Sequence, residues 1–261
     1  MSIYIWDTEI SNIYVWDTPV SEVYLWDTKV RPPAPPIPYL CFTANTAGST
    51  VQLAQYRYPP SQSLETSTDR KNWSSYTVWS TITLSNVGDK VYMRNTSETV
   101  KSLGKSGAYH YFVMTWSIAA SWDLGYLCCK NSTDTVPDYW FWQLFYNCSA
   151  LTSCPELPAT TLGAYCYEYL FTNCSNLETL PKLPATTLSR ESCYGMFYYC
   201  SKIKVSTTQT WEYQNAYRIP SEWTWTTALY ALDMMFSDTW WTFAWTPFIN
   251  TTYYTSNTIV W

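Results

Sequence analysis

The sequence predicts a mainly β chain built in three stages: ten-residue β-repeats, then a β-sandwich-like domain, then a short solenoid of strands with short helices. Three observations carry this. The first 30 residues repeat with a period of ten. The stretch from 39 to about 135 breaks into short strand-like runs separated by Gly, Asn, Asp and Pro. From about 139 the chain repeats again, with a period of 26.

The opening segment, residues 1–30, holds three aligned copies: IYIWDT, IYVWDT and VYLWDT. Each starts with β-branched and aromatic residues, which favour strand. Each ends in Asp-Thr, where Asp can bond its own backbone and turn the chain. Three short strands bury little alone, so this segment is expected to pack on a partner or form a trimeric stalk; a flexible tail is the alternative. Residues 31–38, RPPAPPIP, favour extended polyproline geometry and read as a stiff spacer, with an SH3-type ligand as the alternative.

The second stage, 39–138, carries STVQLAQY, SLETSTD, YTVWSTITLSN and DKVYMRNTS. This spacing fits a sandwich. STDRKNWSSYT reads as a turn and a strand, with Trp73 expected in the core.

The last region, 139–261, contains LFYNCSALTSCPELPATTL and LFTNCSNLETLPKLPATTL, aligned at every position, and the start of a third copy, MFYYCSKIKVSTT. Phe145, Phe171 and Phe197 fall 26 apart, as do Cys148, Cys174 and Cys200; Phe236 follows after 39. A 26-residue period lies in the leucine-rich repeat range. Units of this kind cannot bury their apolar faces singly and must stack. The phenylalanines and cysteines then form inward structural rows. Three thiols in register could also suggest a metal or redox site, but their spacing is the repeat's own.

Composition narrows the function classes. Charged residues are 13% and the net charge is −5, with no basic run, which argues against nucleic acid. No apolar run approaches the roughly 20 residues of a spanning helix, so no membrane insertion is expected. The start, MSIYIWDTEI, has no secretory pattern. Nine cysteines leave at least one unpaired within the chain, and with one histidine and no CxxC a zinc site has little support. No cofactor is expected. The Asn-x-Ser/Thr triplets at Asn72, Asn95, Asn131, Asn147, Asn173 and Asn250 read as turn and repeat chemistry. Asp123, Asp134 and Asp138 could pair as glycoside hydrolysis needs, but nothing fixes their spacing, and the chain is expected not to be an enzyme.

The repeats resemble the bacterial surface leucine-rich repeats of BspA type. The resemblance rests on CYGMFYYCSKI, YEYLFTNCSNL and the two LPATTL copies, and covers about residues 139–255. LETSTDRKNWSSYT and ITLSNVGDKVYMRNTSE look like the β-rich domain that often precedes such repeats. Bacteria and tailed phages encode proteins of this layout. The resemblance implies an attachment protein on a cell surface or virion tail, recognising a host-surface protein or glycan. It implies a trimer only by analogy, and no catalytic residues. A carbohydrate-binding module using exposed aromatics is the alternative, with Trp223, Trp225, Trp240 and Trp241 as its candidate residues.

The resemblance also implies glycine in the ten-residue repeat, where this chain has Trp6, Trp16 and Trp26, and in the late loops that hold Trp223, Trp225, Trp240 and Trp241. A tight turn after a strand often needs φ > 0, which suits glycine. The chain holds 7 Gly and 16 Trp in 261 residues. Reading 13 of those Trp as Gly would give 20 glycines, about 8%, an ordinary share. The expectation is therefore that many of these tryptophans are UGA codons that the source genome reads as glycine. Trp73 is an exception, since the resemblance favours Trp there.

Overall fold

A computed structural model describes residues 37–57, 59–99, 101–131, 134–219, 228–239 and 246–257, with the backbone of four short strands between 14 and 30. The chain forms two compact units, Met1–Pro38 and Tyr39–Trp261. In the first unit, β1 (Tyr14–Val15) pairs antiparallel with β2 (Thr18–Pro19), and β3 (Val23–Leu25) with β4 (Thr28–Val30). Val15 faces Thr18 and Leu25 faces Thr28. The first repeat copy and residues 31–36 lie outside the described residues.

The second unit begins as two facing sheets. Its strands are β5 (Leu40–Ala44), β6 (Ser49–Tyr56), β7 (Leu64–Ser67), β8 (Ser74–Tyr76), β9 (Thr81–Leu84), β10 (Lys90–Asn95), β11 (Gly104–Lys105), β12 (Ala108–Met114) and β13 (Ile118–Ser121). A 3-10 turn, Leu124–Leu127, follows, then β14 (Thr135–Val136), β15 (Leu151–Ser153) and β16 (Thr161–Leu162). One sheet runs β15-β13-β5-β10-β7-β8 and the other β11-β12-β6-β9. Alternation along the strands sends one side chain in two to the core. Leu40 and Phe42 of β5, Val51 and Leu53 of β6 and Phe112 of β12 are all buried. Phe42 meets Phe112 edge-on across the sheets at 4.9 Å between ring centroids.

Residues 139–219 and 228–239 are wound in layers, the first three 26 residues apart and the fourth set off by a longer step of 39 from Phe197 to Phe236. The N–H groups of Tyr139, Phe141, Gln143, Phe145 and Asn147 donate to the carbonyls of Ala164, Cys166, Glu168, Leu170 and Thr172 in the next layer. Tyr165, Tyr167, Tyr169, Phe171 and Asn173 repeat this toward the third layer, and Glu191 through Tyr199 toward the fourth. The intervening N–H groups close tight turns within a layer, as Leu144 N–H does on the Phe141 carbonyl at 3.1 Å. Thr135, Thr161 and Thr187 pair in parallel at the same repeat position.

This backbone corrects the expected short helices: no α-helix occurs among the described residues. Every fourth residue of the strip has positive φ: Tyr139, Gln143 and Asn147, then Tyr165, Tyr169 and Asn173, then Glu191, Gly195 and Tyr199, then Tyr230, Met234 and Asp238. A left-handed residue at each fourth position interrupts any α-helical run.

The two regions drawn from sequence at 39–138 and 139–261 share one core. β15 joins the six-stranded sheet in parallel beside β13, and the Phe112 N–H donates to the Leu144 carbonyl at 2.7 Å. Among the described residues the last element is a small sheet of β17 (Val205–Ser206), β18 (Asn215–Arg218) and β19 (Thr252–Thr255), in the order β17-β19-β18.

Trp73, expected in the core, is only half-buried. Its indole N–H donates to the Arg70 carbonyl at 3.1 Å, holding it at the tip of the β7–β8 hairpin. Three other tryptophans occupy positive φ: Trp79 (77°), Trp116 (65°) and Trp122 (68°). Trp79 is the third residue of a turn in which the Ser80 N–H donates to the Thr77 carbonyl at 2.9 Å. The turns closed by Ser49 on Thr46 and by Asp89 on Asn86 have the same form, and there the third residue is Gly48 (φ 77°) and Gly88 (φ 85°). Positive φ at the third position alone marks a type II turn, which favours glycine at that place.

Candidate functional site

The repeat interior is a column of rings. Phe112 stacks on Phe145, Phe145 on Phe171, Phe171 on Phe197 and Phe197 on Phe236, with centroids 5.0, 5.3, 5.6 and 5.5 Å apart. Beside it run the thiols. Cys148, Cys174 and Cys200 donate to the carbonyls of Phe112, Phe145 and Phe171 at 3.1, 3.1 and 3.0 Å. Cys174 and Cys200 thus reach one layer back, and Cys148 ties the first layer to β12. Burial pushes all three thiols up from their ordinary range. All nine cysteines are free and buried. No group of three or more His, Cys, Asp or Glu arranged to hold a metal occurs among the described residues.

The single histidine, His110, is buried with Nδ1 at 2.9 Å from the Leu103 carbonyl, and burial lowers its pKa. Asp123 accepts from the Gly125 N–H at 2.7 Å and caps the 3-10 turn. Asp138 accepts from the Ala164 N–H at 2.7 Å. These two carboxylates are therefore engaged with backbone. No helix among the described residues is long and apolar enough to cross a membrane.

Two aromatic assemblies reach the surface. The first surrounds two guanidinium groups. Arg94 lies 3.9 Å from the Trp73 ring centroid and 5.6 Å from that of Tyr39, and it donates to Glu65 through Nε and Nη2 at 2.9 and 2.7 Å. Arg70 lies 5.0 Å from Trp122 and 5.3 Å from Tyr92. These contacts are internally satisfied cation–π and ion pairs, apart from one buried Arg70 nitrogen, Nη1, that has no partner.

The second is a band that crosses from the four-stranded sheet onto the repeat strip. Alternation on β12 buries Ala108, His110 and Phe112 and turns Tyr109 and Tyr111 outward. Tyr109 meets Tyr56, its cross-strand partner on β6, at 5.4 Å. It meets Trp142 of the first layer at 5.1 Å, and Trp142 meets Tyr139 at 5.9 Å. Tyr139 stacks on Tyr165, one repeat later, at 4.7 Å and 9°. Arg190 sits over Tyr165 at 6.0 Å and is paired with Glu191 at 2.9 Å.

Glu168 occupies the repeat position that Trp142 holds in the layer before. It is only 9% exposed, and no hydrogen bond reaches its carboxylate among the described residues. Burial, reinforced by Glu191, raises its pKa to about 7. The charge of Glu168 is felt by both Tyr139 and Tyr169, whose pKa values rise chiefly from burial. The Trp142 Nε1 is buried without an acceptor.

Trp223, Trp225, Trp240 and Trp241, the residues proposed from sequence for ligand binding, lie outside the described residues. Near them in sequence, a groove of about 350 Å³ opens between the fourth layer and the following segment, lined by Tyr230, Leu232, Pro247 and Phe248 among others. Sequence reasoning missed the band. Tyr139 and Tyr165 share the 26-residue spacing and so carried a readable signal. The contribution of β12 was hidden, because which tyrosines face outward depends on strand register. Comparison with protein-family models, with curated proteins and with solved structures gives no match.

Proposed function

We propose that the chain is a non-enzymatic attachment protein, a bacterial surface adhesin or a phage tail-associated receptor-binding protein, and that its C-terminal region is a short leucine-rich repeat stack of BspA type. One observation carries this reading: the phenylalanine column, with hydrogen bonds linking successive 26-residue layers. Such stacking makes a rigid scaffold that sets equivalent side chains in rows on its surface. A scaffold with rows of surface groups suits recognition of a host-surface protein or glycan. The reactive residue types are used structurally: the thiols bond backbone, His110 is buried, and Asp123 and Asp138 hold N–H groups.

The test is binding of the labelled full chain to intact candidate host cells. The reading expects saturable binding displaced by excess unlabelled chain. Absence of displaceable binding, or turnover of a polysaccharide by the pure protein, would overturn it.

We propose further that many of the tryptophans stand at codons the source reads as glycine. Support comes from Trp79, in the glycine place of a type II turn, and from the positive φ of Trp116 and Trp122.

A further inference from the structure

We propose that the band running from Tyr56 through Tyr109, Trp142 and Tyr139 to Tyr165, floored by Glu168, is a binding surface for a neutral glycan chain. This rests on the attachment reading and names the class of ligand. The band differs from the loops that hold Trp223, Trp225, Trp240 and Trp241.

The chemistry of the surface selects the ligand. Its rings are half-buried at a spacing of 4.7 to 5.9 Å, so an extended ligand could touch several in turn. Tyr and Trp present an apolar body with a polar tip. That matches a sugar, which has apolar C–H patches beside hydroxyls. One buried polar group there lacks a partner, the Trp142 Nε1, a donor; beside it in the repeat, the largely buried Glu168 accepts no hydrogen bond from another described residue. Buried polar groups without partners are costly and call for an explanation. Sugar hydroxyls both donate and accept, so a glycan offers an acceptor for Trp142 Nε1 and donors for Glu168. A proline-rich peptide, the usual rival for aromatic grooves, offers mainly carbonyl acceptors and would leave Glu168 unpaired. The nearby charges cancel, since Arg190 is paired with Glu191, and this favours a neutral chain over an acidic one. Because Glu168 titrates at about 7, its ionised, acceptor-only form gains population as pH rises through neutrality. Glu191, Tyr139, Tyr169 and Arg190 are the titratable groups around it.

The experiment is an array of immobilised neutral, acidic and N-acetylated oligosaccharides probed with the full chain, followed by calorimetric titration of the best binder. Glu168→Gln, Tyr139→Ala and Tyr139→Phe are compared with the unaltered chain, each checked for folding by thermal unfolding. Binding of a neutral glycan is expected, weakened about tenfold or more by Glu168→Gln and by Tyr139→Ala. Tyr139→Phe keeps the ring and should retain most of the affinity. Affinity of the unaltered chain should rise between pH 6 and 8, and this rise should vanish in Glu168→Gln. Binding unaffected by these variants, binding of acidic glycans alone, or binding only of a proline-rich peptide would each overturn the proposal. Failure on every glycan, with displaceable binding to host cells retained in Tyr139→Ala, would sink the band and leave the attachment reading standing. Loss of both kinds of binding in the unaltered chain would sink the two together.

Discussion

Replacing Trp79 by glycine should stabilise the protein, although it removes the largest side chain. Trp79 is held at φ 77° as the third residue of the Thr77–Ser80 turn. A left-handed backbone costs an L-residue about 1–2 kcal/mol, and glycine escapes most of that. The ring gives little back. It is 51% exposed and touches Tyr111 edge-on at 6.5 Å, worth at most about 0.5–1 kcal/mol. The backbone contacts survive, including the Trp79 N–H to the Leu53 carbonyl at 2.8 Å and the Gln52 side chain on the Trp79 carbonyl at 2.6 Å. The net gain for Trp79→Gly is about 0.5–1 kcal/mol, or roughly 1–4 °C in Tm for a domain of this size. Trp79→Ala removes the ring but keeps the strain, so it should unfold about 1 kcal/mol below the glycine variant. Scanning calorimetry on the full chain reads both. An alanine variant as stable as the glycine variant would refute the reasoning, because φ would then not be the source of the strain.

Other expectations follow from the interior. Phe171 lies fully buried between Phe145 and Phe197, so Phe171→Ala should cost about 3–5 kcal/mol in chemical denaturation; a loss under 1 kcal/mol would mean the column is not a core. All nine thiols are buried and free, and burial holds Cys193 up at about 12, so a thiol reagent should label the native protein slowly at pH 8 and quickly once it unfolds. Rapid labelling of the folded chain would contradict this burial. Glu168 is raised from its unfolded value to about 7, so its contribution is fully present below about pH 4.5 and is lost as pH rises through about 7. Allowing for partial solvent access, that loss is on the order of 1–2 kcal/mol. Glu168→Gln should flatten the stability profile across that window, and an unchanged profile would count against the shift.

Much of the architecture could be read in the residues, for stated reasons. The turn residues around Gly48 and Gly88 and the alternation in STVQLAQY foretold short strands. The spacing of Phe145, Phe171 and Phe197 foretold rows, because an exact repeat leaves side chains no other regular arrangement. Two features were not readable. The strip was expected to contain short helices, yet tyrosines and a glutamate sit at its left-handed positions, among them Tyr139, Tyr165 and Glu191. Only Asn147, Asn173, Gly195 and Asp238 hinted at that backbone, since Gly, Asn and Asp favour it locally. Tertiary hydrogen bonding between layers overrides the preference of the others. The aromatic band was also missed, because it joins Tyr56 and Tyr109 of a sheet to Tyr139 and Tyr165 of the repeats, positions far apart in sequence that meet only through the shared core.

The most direct single measurement is peptide mass spectrometry on the protein from its native source, covering positions 79, 116 and 122. Masses corresponding to glycine are expected at these left-handed positions. Tryptophan masses at all three would contradict that claim and show that the protein holds indoles at left-handed backbone positions.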